Sequence, residues 1–361
     1  MTTAHGDSPD DMGVDHVELY VEDFRATTDW LVDSYGLVVE ADNEAEAGRV
    51  GARSVALGRD RIRVVLTQGL AADHPAARYV ERHGDGVADI GLRVPDAAGA
   101  FEAAVGLGAT PVAPPATRDG VVTASIVGFG DVAHTFVQRA RGIAPTALPG
   151  LRPVPHRAPA RDTGLTAVDH FAVCLEAGTL EPTVAFYQRV LGFRMVFAEQ
   201  ILVGRQSMIS KVVQSRSGEV TLTLIEPDPS HDPGQIDDFL RKHDGPGVQH
   251  IAWNTGDIVR SVGGMASAGV EFLRSPGAYY DALGERMTAR RHSVAELRAH
   301  NILMDQDHDG QLFQIFTRSV HSRGTLFLEL IERLGARTFG SGNIKALYEA
   351  VESQRAVAGA R

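Results

Sequence analysis

Three residues in the second half of the chain have types suited to holding a metal: His170, His250 and Glu329. Glu329 stands alone as a carboxylate in the apolar run from Leu326 to Ile331. A buried carboxylate costs several kcal/mol unless it is paired or bound to a cation. Glu332 lies three residues on, so strand alternation sends it to the opposite face. Two imidazoles and one carboxylate on one face of a metal leave positions open. That donor set suits a non-haem iron(II) oxygenase, which needs open positions for substrate and O₂ together. Zinc is the competing metal, and the open-faced set suits iron better. On spacing alone a bland reading stays open, with each histidine structural and Glu329 at a strand end.

These residues need a scaffold that brings them together, and the chain offers one by repeating itself. Val14-Asp15-His16-Val17 opens the first half, and Val168-Asp169-His170-Phe171 opens the second. Each run is strand-like and precedes a helical stretch with aromatics, Trp30 and Tyr35 or Phe186 and Tyr187. Gly36 and Gly192 mark the ends of those helices. A second pair follows, Gly86-Val87-Ala88-Asp89-Ile90 against Gly247-Val248-Gln249-His250-Ile251. Asp96 and Asp257 stand near the starts of two further helices. The alternating runs 61–67, 131–138, 220–225 and 311–317 read as strands.

The pattern of strand, helix and three strands recurs four times, near 14–67, 86–139, 168–226 and 247–332. The expected class is α+β. Four βαβββ modules pair into two domains, each a curved mixed sheet around a cavity with helices outside. Residues 1–13 are expected to be a disordered lead-in, 14–139 a non-metal domain and 140–164 a linker. Residues 165–361 form the catalytic domain, ending in an amphipathic helix from Asn343 to Gln354. His170 and His250 are expected at equivalent points on two strand starts, brought together across one cavity. Asp89 occupies the place of His250 in the first half, which makes His16 a remnant.

The 361 residues carry a formal net charge of -11 and no dense Lys/Arg cluster, so no nucleic-acid partner is expected. No apolar run reaches the roughly 18 residues of a membrane span, and the polar start does not read as a secretory signal. Cys174 is the one cysteine and reads as a small core residue. That usage fits a reducing, cytoplasmic setting. The oligomeric state is not set, and a homo-oligomer stays open.

Several stretches carry a resemblance. In the second half they are Val168-Asp169-His170, Pro246 to Ala252, Gln311 to Thr317, Phe327 to Arg333, and Phe339 to Tyr348. In the first half the stretch is His83 to Ile90. These resemble the 4-hydroxyphenylpyruvate dioxygenase family, within the vicinal-oxygen-chelate fold, over nearly the whole chain. The resemblance implies Fe(II) held by His170, His250 and Glu329, with 4-hydroxyphenylpyruvate and O₂ as substrates. The 2-oxo acid chelates the metal and loses CO₂, so no separate 2-oxoglutarate is needed. Ser210 and Gln314 would orient the substrate, and Phe316 would wall its ring. Thr223, Ile225 and Ile344 depart from the ring-hydroxylating pattern, which tends to have Pro, Asn and Phe there. They resemble the family's benzylic-hydroxylating branch, whose product feeds peptide-antibiotic synthesis. Ring hydroxylation to homogentisate is the alternative outcome. A non-catalytic binder of the same fold is a third reading.

Overall fold

The computed structural model describes residues 12–155, 158–159, 161–338 and 343. The lead-in up to residue 11, the C-terminal helix expected beyond Asn343, and Ile344 with it, lie outside the described residues. The first module runs β1 (Gly13–Tyr20), a helix (Phe24–Tyr35), β2 (Val38–Asp42), β3 (Ala52–Arg59) and β4 (Ile62–Gly69). The second runs β5 (Gly86–Arg93), a helix (Ala97–Gly106), β6 (Pro111–Arg118), β7 (Val121–Phe129) and β8 (Val132–Arg139). After the two-residue β9 (Arg152–Pro153), the third module has β10 (Leu165–Cys174), a helix (Leu180–Val190), β11 (Arg194–Val203), β12 (Gln206–Gln214) and β13 (Thr221–Pro227). The fourth has β14 (Gly247–Thr255), a helix (Ile258–Ser267), β15 (Leu303–Gln306), β16 (Gln311–Phe316) and β17 (Phe327–Leu334).

Modules join in pairs through their first strands. The nine-stranded sheet has the order β6-β7-β8-β5-β1-β4-β3-β2-β9, and the eight-stranded sheet β11-β12-β13-β10-β14-β17-β16-β15. Antiparallel β1·β5 and β10·β14 are the seams. The sheets are mixed, because each first strand also pairs in parallel with the last strand of its own module. Pairing two modules supplies the curvature that one alone could not close around a core.

Local chemistry explains the helices. Asp96 and Asp257 are N-caps, accepting from Gly99 and Arg260 at 3.0 Å. Gly36 caps its helix in the left-handed region at φ 68°, where a side chain would be strained. A strand residue also caps the helix of its own module. Ile258 N–H donates to Glu332 at 2.8 Å, Leu180 N–H to Glu226 at 3.0 Å, and Ala97 N–H to Gln138 at 3.2 Å. These bonds satisfy helix-start donors that have no partner within the helix.

The helices Phe24–Tyr35 and Leu180–Val190 each bury one face in the apolar core shared by the two halves. Tyr35 meets Trp253 edge-on at 5.3 Å, and the Tyr187 hydroxyl and His134 Nε2 share a hydrogen bond of 2.7 Å. Phe171, Val173, Leu222, Leu224 and Trp253 belong to this shared apolar core. Alternation therefore turns His170, Ala172 and Thr223 to the concave face.

Two features differ from the sequence reading. The segment 140–164 is not a bare linker. Its β9 pairs with β2, Ala41 opposite Pro153, and Leu148 is buried against Ala41, Ala56 and Val65. Among the described residues five further α-helices lie between or within modules: Ala47–Val50, Pro75–His83, Gln235–His243, Gly277–Arg286 and Val294–His300. They are short, and their periodicity covers too few turns to stand out. The last carried a readable sign, the reciprocal Ser293–Glu296 capping box. Among the described residues, no helix is long and apolar enough to cross a membrane.

Candidate metal centre

The three expected ligands converge. His170, His250 and Glu329 are buried, and their ligand atoms all lie within 4.8 Å of one another. Glu329 Oε2 is 3.3 Å from His170 Nε2 and 3.2 Å from His250 Nε2. The two rings stand nearly perpendicular, 79° apart, with centroids 5.7 Å apart. The residues come from three neighbouring strands, β10, β14 and β17. Both histidines sit inside their strands, not at the starts. They also meet on paired strands of one sheet, His170 opposite Ala252 and His250 opposite Ala172. Glu329 lies beside Ala252 across the β14·β17 pairing, which completes the cluster. Glu332 does face the other way, toward His292 and the helix start at Ile258.

A network of polar groups behind the ligands holds His170. Its Nδ1 donates to Asp169 at 2.9 Å, leaving Nε2 turned to Glu329. Arg333 clamps Asp169 with two bonds of 2.8 Å, and Asn254 adds one of 3.2 Å. A carboxylate on the far nitrogen sets the tautomer that a metal needs. Burial works against charge on His170, but Glu329 and Asp169 outweigh it and raise the imidazole to about 9. Burial pushes His250 down from its ordinary value. Burial would raise Glu329, yet the neighbouring histidines hold it below the usual carboxylate range. The donor chemistry fits a divalent cation: a dry carboxylate and two imidazole nitrogens aimed at one point.

The first half shows what is missing there. His16 donates to Asp15 at 2.9 Å, and Arg139 clamps Asp15 as Arg333 clamps Asp169. Asp89 stands where His250 stands, opposite Glu18 on β1, and hydrogen-bonds to Thr135. By register Thr135 takes the place of Glu329: Gly91 pairs with Thr135 as Ala252 pairs with Glu329. The support survives while two ligand positions have changed.

Of the other expected site residues, Phe316, Gln314, Thr223, Ser210 and Ile225 lie on the same sheet. Phe316 is directly opposite Glu329 and meets the His250 ring edge-on at 5.7 Å. Gln314 is buried on β16, opposite Ile331. Thr223 lies opposite Ala172, and its buried hydroxyl has no hydrogen-bond partner among the described residues. Ser210 is buried opposite Ile225. Ile225 packs into an apolar cluster with Cys174, Met208, Ile236 and Phe239. Cys174 is thus a core residue, and burial pushes its thiol up. Sequence reasoning missed Phe327, stacked on His250 at 5.0 Å, and the Asp169–Arg333–Asn254 support. The doubled Val-Asp-His motif was the available signal for Asp169.

A second group, Asp257, His292 and Glu332, also has ligand atoms within 4.8 Å of one another. Here Arg291 is 2.8 Å from Glu332, so a cation already neutralises the carboxylate. This cluster is structural.

The comparisons agree with this architecture. A profile of the Glyoxalase/Bleomycin resistance protein/Dioxygenase superfamily matches residues 167–315, and a second with the same description matches 15–124. The chain is 31% identical to 4-hydroxyphenylpyruvate dioxygenase from Pyricularia oryzae, over 98% of this chain and 93% of the relative. It is 31% identical to that enzyme from Dictyostelium discoideum, over 96% and 99%. A solved triple mutant of 4-hydroxymandelate synthase from Streptomyces coelicolor is 44% identical, with a TM-score of 0.87 over 95% and 98% of the two chains. Fold and site together define a vicinal-oxygen-chelate protein with two curled mixed sheets and a candidate metal centre in the second. The chain belongs to the 4-hydroxyphenylpyruvate dioxygenase family.

Proposed function

We propose that the chain is an Fe(II)-dependent oxygenase that converts 4-hydroxyphenylpyruvate and O₂ to 4-hydroxymandelate and CO₂. The atoms balance, with one oxygen entering the carboxylate left by decarboxylation and the other the benzylic carbon. The observation that carries the reading is the buried 2-His-1-carboxylate cluster on the concave face of the second sheet. When bound there, iron would supply sites for the 2-oxo acid and O₂. His170, His250 and Glu329 would be its ligands. Asp169 fixes the proton on His170 Nδ1 and keeps Nε2 free for the metal. Phe316 and Phe327 wall the site with rings and keep water out. Ser210, Gln314 and Thr223 offer polar groups for orienting the substrate, and orientation decides which carbon reacts.

Benzylic attack is supported by the likeness to the synthase and by Thr223 and Ile225 in place of the dioxygenase's usual Pro and Asn. The ring-hydroxylating alternative is supported by the full-length dioxygenase relatives. Proton NMR separates the outcomes, although the products are isomers. Hydroxymandelate shows a benzylic methine and a para-substituted ring. Homogentisate keeps its CH₂ and has three ring protons. We expect hydroxymandelate as the main product, and Ile344→Phe to move part of it toward homogentisate. Homogentisate from the unaltered enzyme would replace the synthase reading with the dioxygenase one. Metal analysis of the active protein decides between iron and zinc.

A further inference from the structure

We infer that Glu199 is the acceptor that recognises the para-hydroxyl of the substrate, a specificity residue on the edge strand of the sheet that carries the metal ligands. The inference rests on the proposed arylpyruvate reading. Glu199 lies on β11, the edge strand of the eight-stranded sheet. It pairs across to Ser210, Ser210 pairs to Ile225, and Ile225 to Cys174. Side chains directly opposite one another share a face. Cys174 is on the face of His170, four residues earlier on the same strand, so Glu199 and Ser210 also point to the concave side.

The row holding Glu199 has defined neighbours. On one side lies the row of Phe197, Val212, Thr223, Ala172 and His250. On the other, Ile201, Val203 and Met208 form an apolar plug with Ile236 and Phe239 of the helix Gln235–His243, and Ile225 and Cys174, further along Glu199's own row, belong to the same plug. Glu199 and Ser210 are therefore the polar end of a row whose other members, Ile225 and Cys174, are apolar, and they lie one row from the row that reaches the metal cluster. A ring held at its other end by a chelated 2-oxo acid would present its para substituent to that polar end.

The carboxylate is incomplete as it stands. Glu199 is half-buried, and its Oε2 is shielded from solvent with no hydrogen-bond partner among the described residues. An unmatched buried acceptor is costly, and carboxylate oxygens accept only. A phenol O–H is a donor of the right kind, and its bond to a carboxylate is charge-assisted. Thr223 Oγ1, also buried and without a partner among the described residues, lies one row nearer the metal cluster. A site built to receive a hydroxyl discriminates strongly against the analogue that lacks it.

The test is anaerobic binding of 4-hydroxyphenylpyruvate and of phenylpyruvate to the Fe(II)-loaded protein, read by the visible band of the 2-oxo acid chelate. The unaltered protein is expected to prefer the hydroxylated acid by about 10- to 100-fold. Glu199→Ala should bind phenylpyruvate as before and lose most of that preference. Glu199→Gln, which keeps a carbonyl acceptor, should retain part of it and guards against a folding defect in the alanine variant. An undiminished preference in both variants, or no preference in the unaltered protein, overturns the role of Glu199. Failure of the unaltered protein to chelate either acid would instead overturn the arylpyruvate reading, and the role of Glu199 would fall with it.

Discussion

Glu329 is the carboxylate in the buried cluster, so its removal tests the ligand assignment most directly. Glu329→Ala leaves two imidazoles that must hold a cation without a counter-charge. We expect that variant, His170→Ala and His250→Ala each to lose most Fe(II) affinity and turnover. Asp89→Ala should keep its iron, because Asp89 and Thr135 stand in the half that lacks the histidine and the glutamate. Metal content after dialysis checks both statements, and full iron in the Glu329 variant would sink the assignment. The three candidate ligands were legible as candidates, Glu329 because it is a lone carboxylate in an apolar run and the histidines because the repeat aligns them, while the family resemblance joined them into one set. Their support was not. Asp169, Asn254 and Arg333 meet only once three strands are in register, and no local pattern announces such a contact.

At the scale of the element, the recurring device is a strand side chain that caps a neighbouring helix. Glu332 shows it most fully. It is buried, accepts from Ile258 N–H and pairs with His292 and Arg291. Gln138 occupies the corresponding place in the first half and accepts from Ala97 N–H alone among these contacts. Removing a buried group that satisfies several partners costs more than removing one neutral bond. Glu332→Ala should therefore destabilise by about 3 kcal/mol, and Gln138→Ala by about 1 kcal/mol. Urea unfolding of the two variants compares them, and equal losses would show that Glu332 is no more than a neutral cap. The four modules were legible because their strand and helix periods are clear and repeated. The inter-module helices were not, since Pro75–His83 and Gln235–His243 are nine residues each. Their anchoring is tertiary: His83 Nδ1 and the carbonyl of His243 meet across the two halves at 2.5 Å.

That contact sets a property of the whole molecule. His243 is buried where the halves join, stacked between His83 at 4.4 Å and Phe239 at 5.0 Å. Its Nδ1 donates to the Gly245 carbonyl, with Tyr79, Asp131, Arg82, Asp244 and Arg323 nearby. Burial, with the charge of His83 as the next cause, holds its imidazole down at about 4, below the ordinary 6.5. Between those values the unfolded chain binds a proton that the folded chain refuses. Stability is thus fully present above pH 6.5 and falls as pH drops toward 4, by about 3 kcal/mol for a shift of this size. His134, also lowered to about 4 by burial, acts in the same direction. His16, raised from its ordinary value against its burial by Asp15, acts in the opposite one. His243→Gln leaves both of those in place and removes one titrating group. We expect the variant to be less stable at pH 7.5, because the stacked ring is lost, but to lose less on acidification to pH 4.5. Urea midpoints at the two pH values, compared between variant and unaltered protein, give the difference in slope directly. An identical loss in both proteins would mean that His243 takes up its proton without opening the junction, and that the acid sensitivity of the two-domain arrangement lies elsewhere.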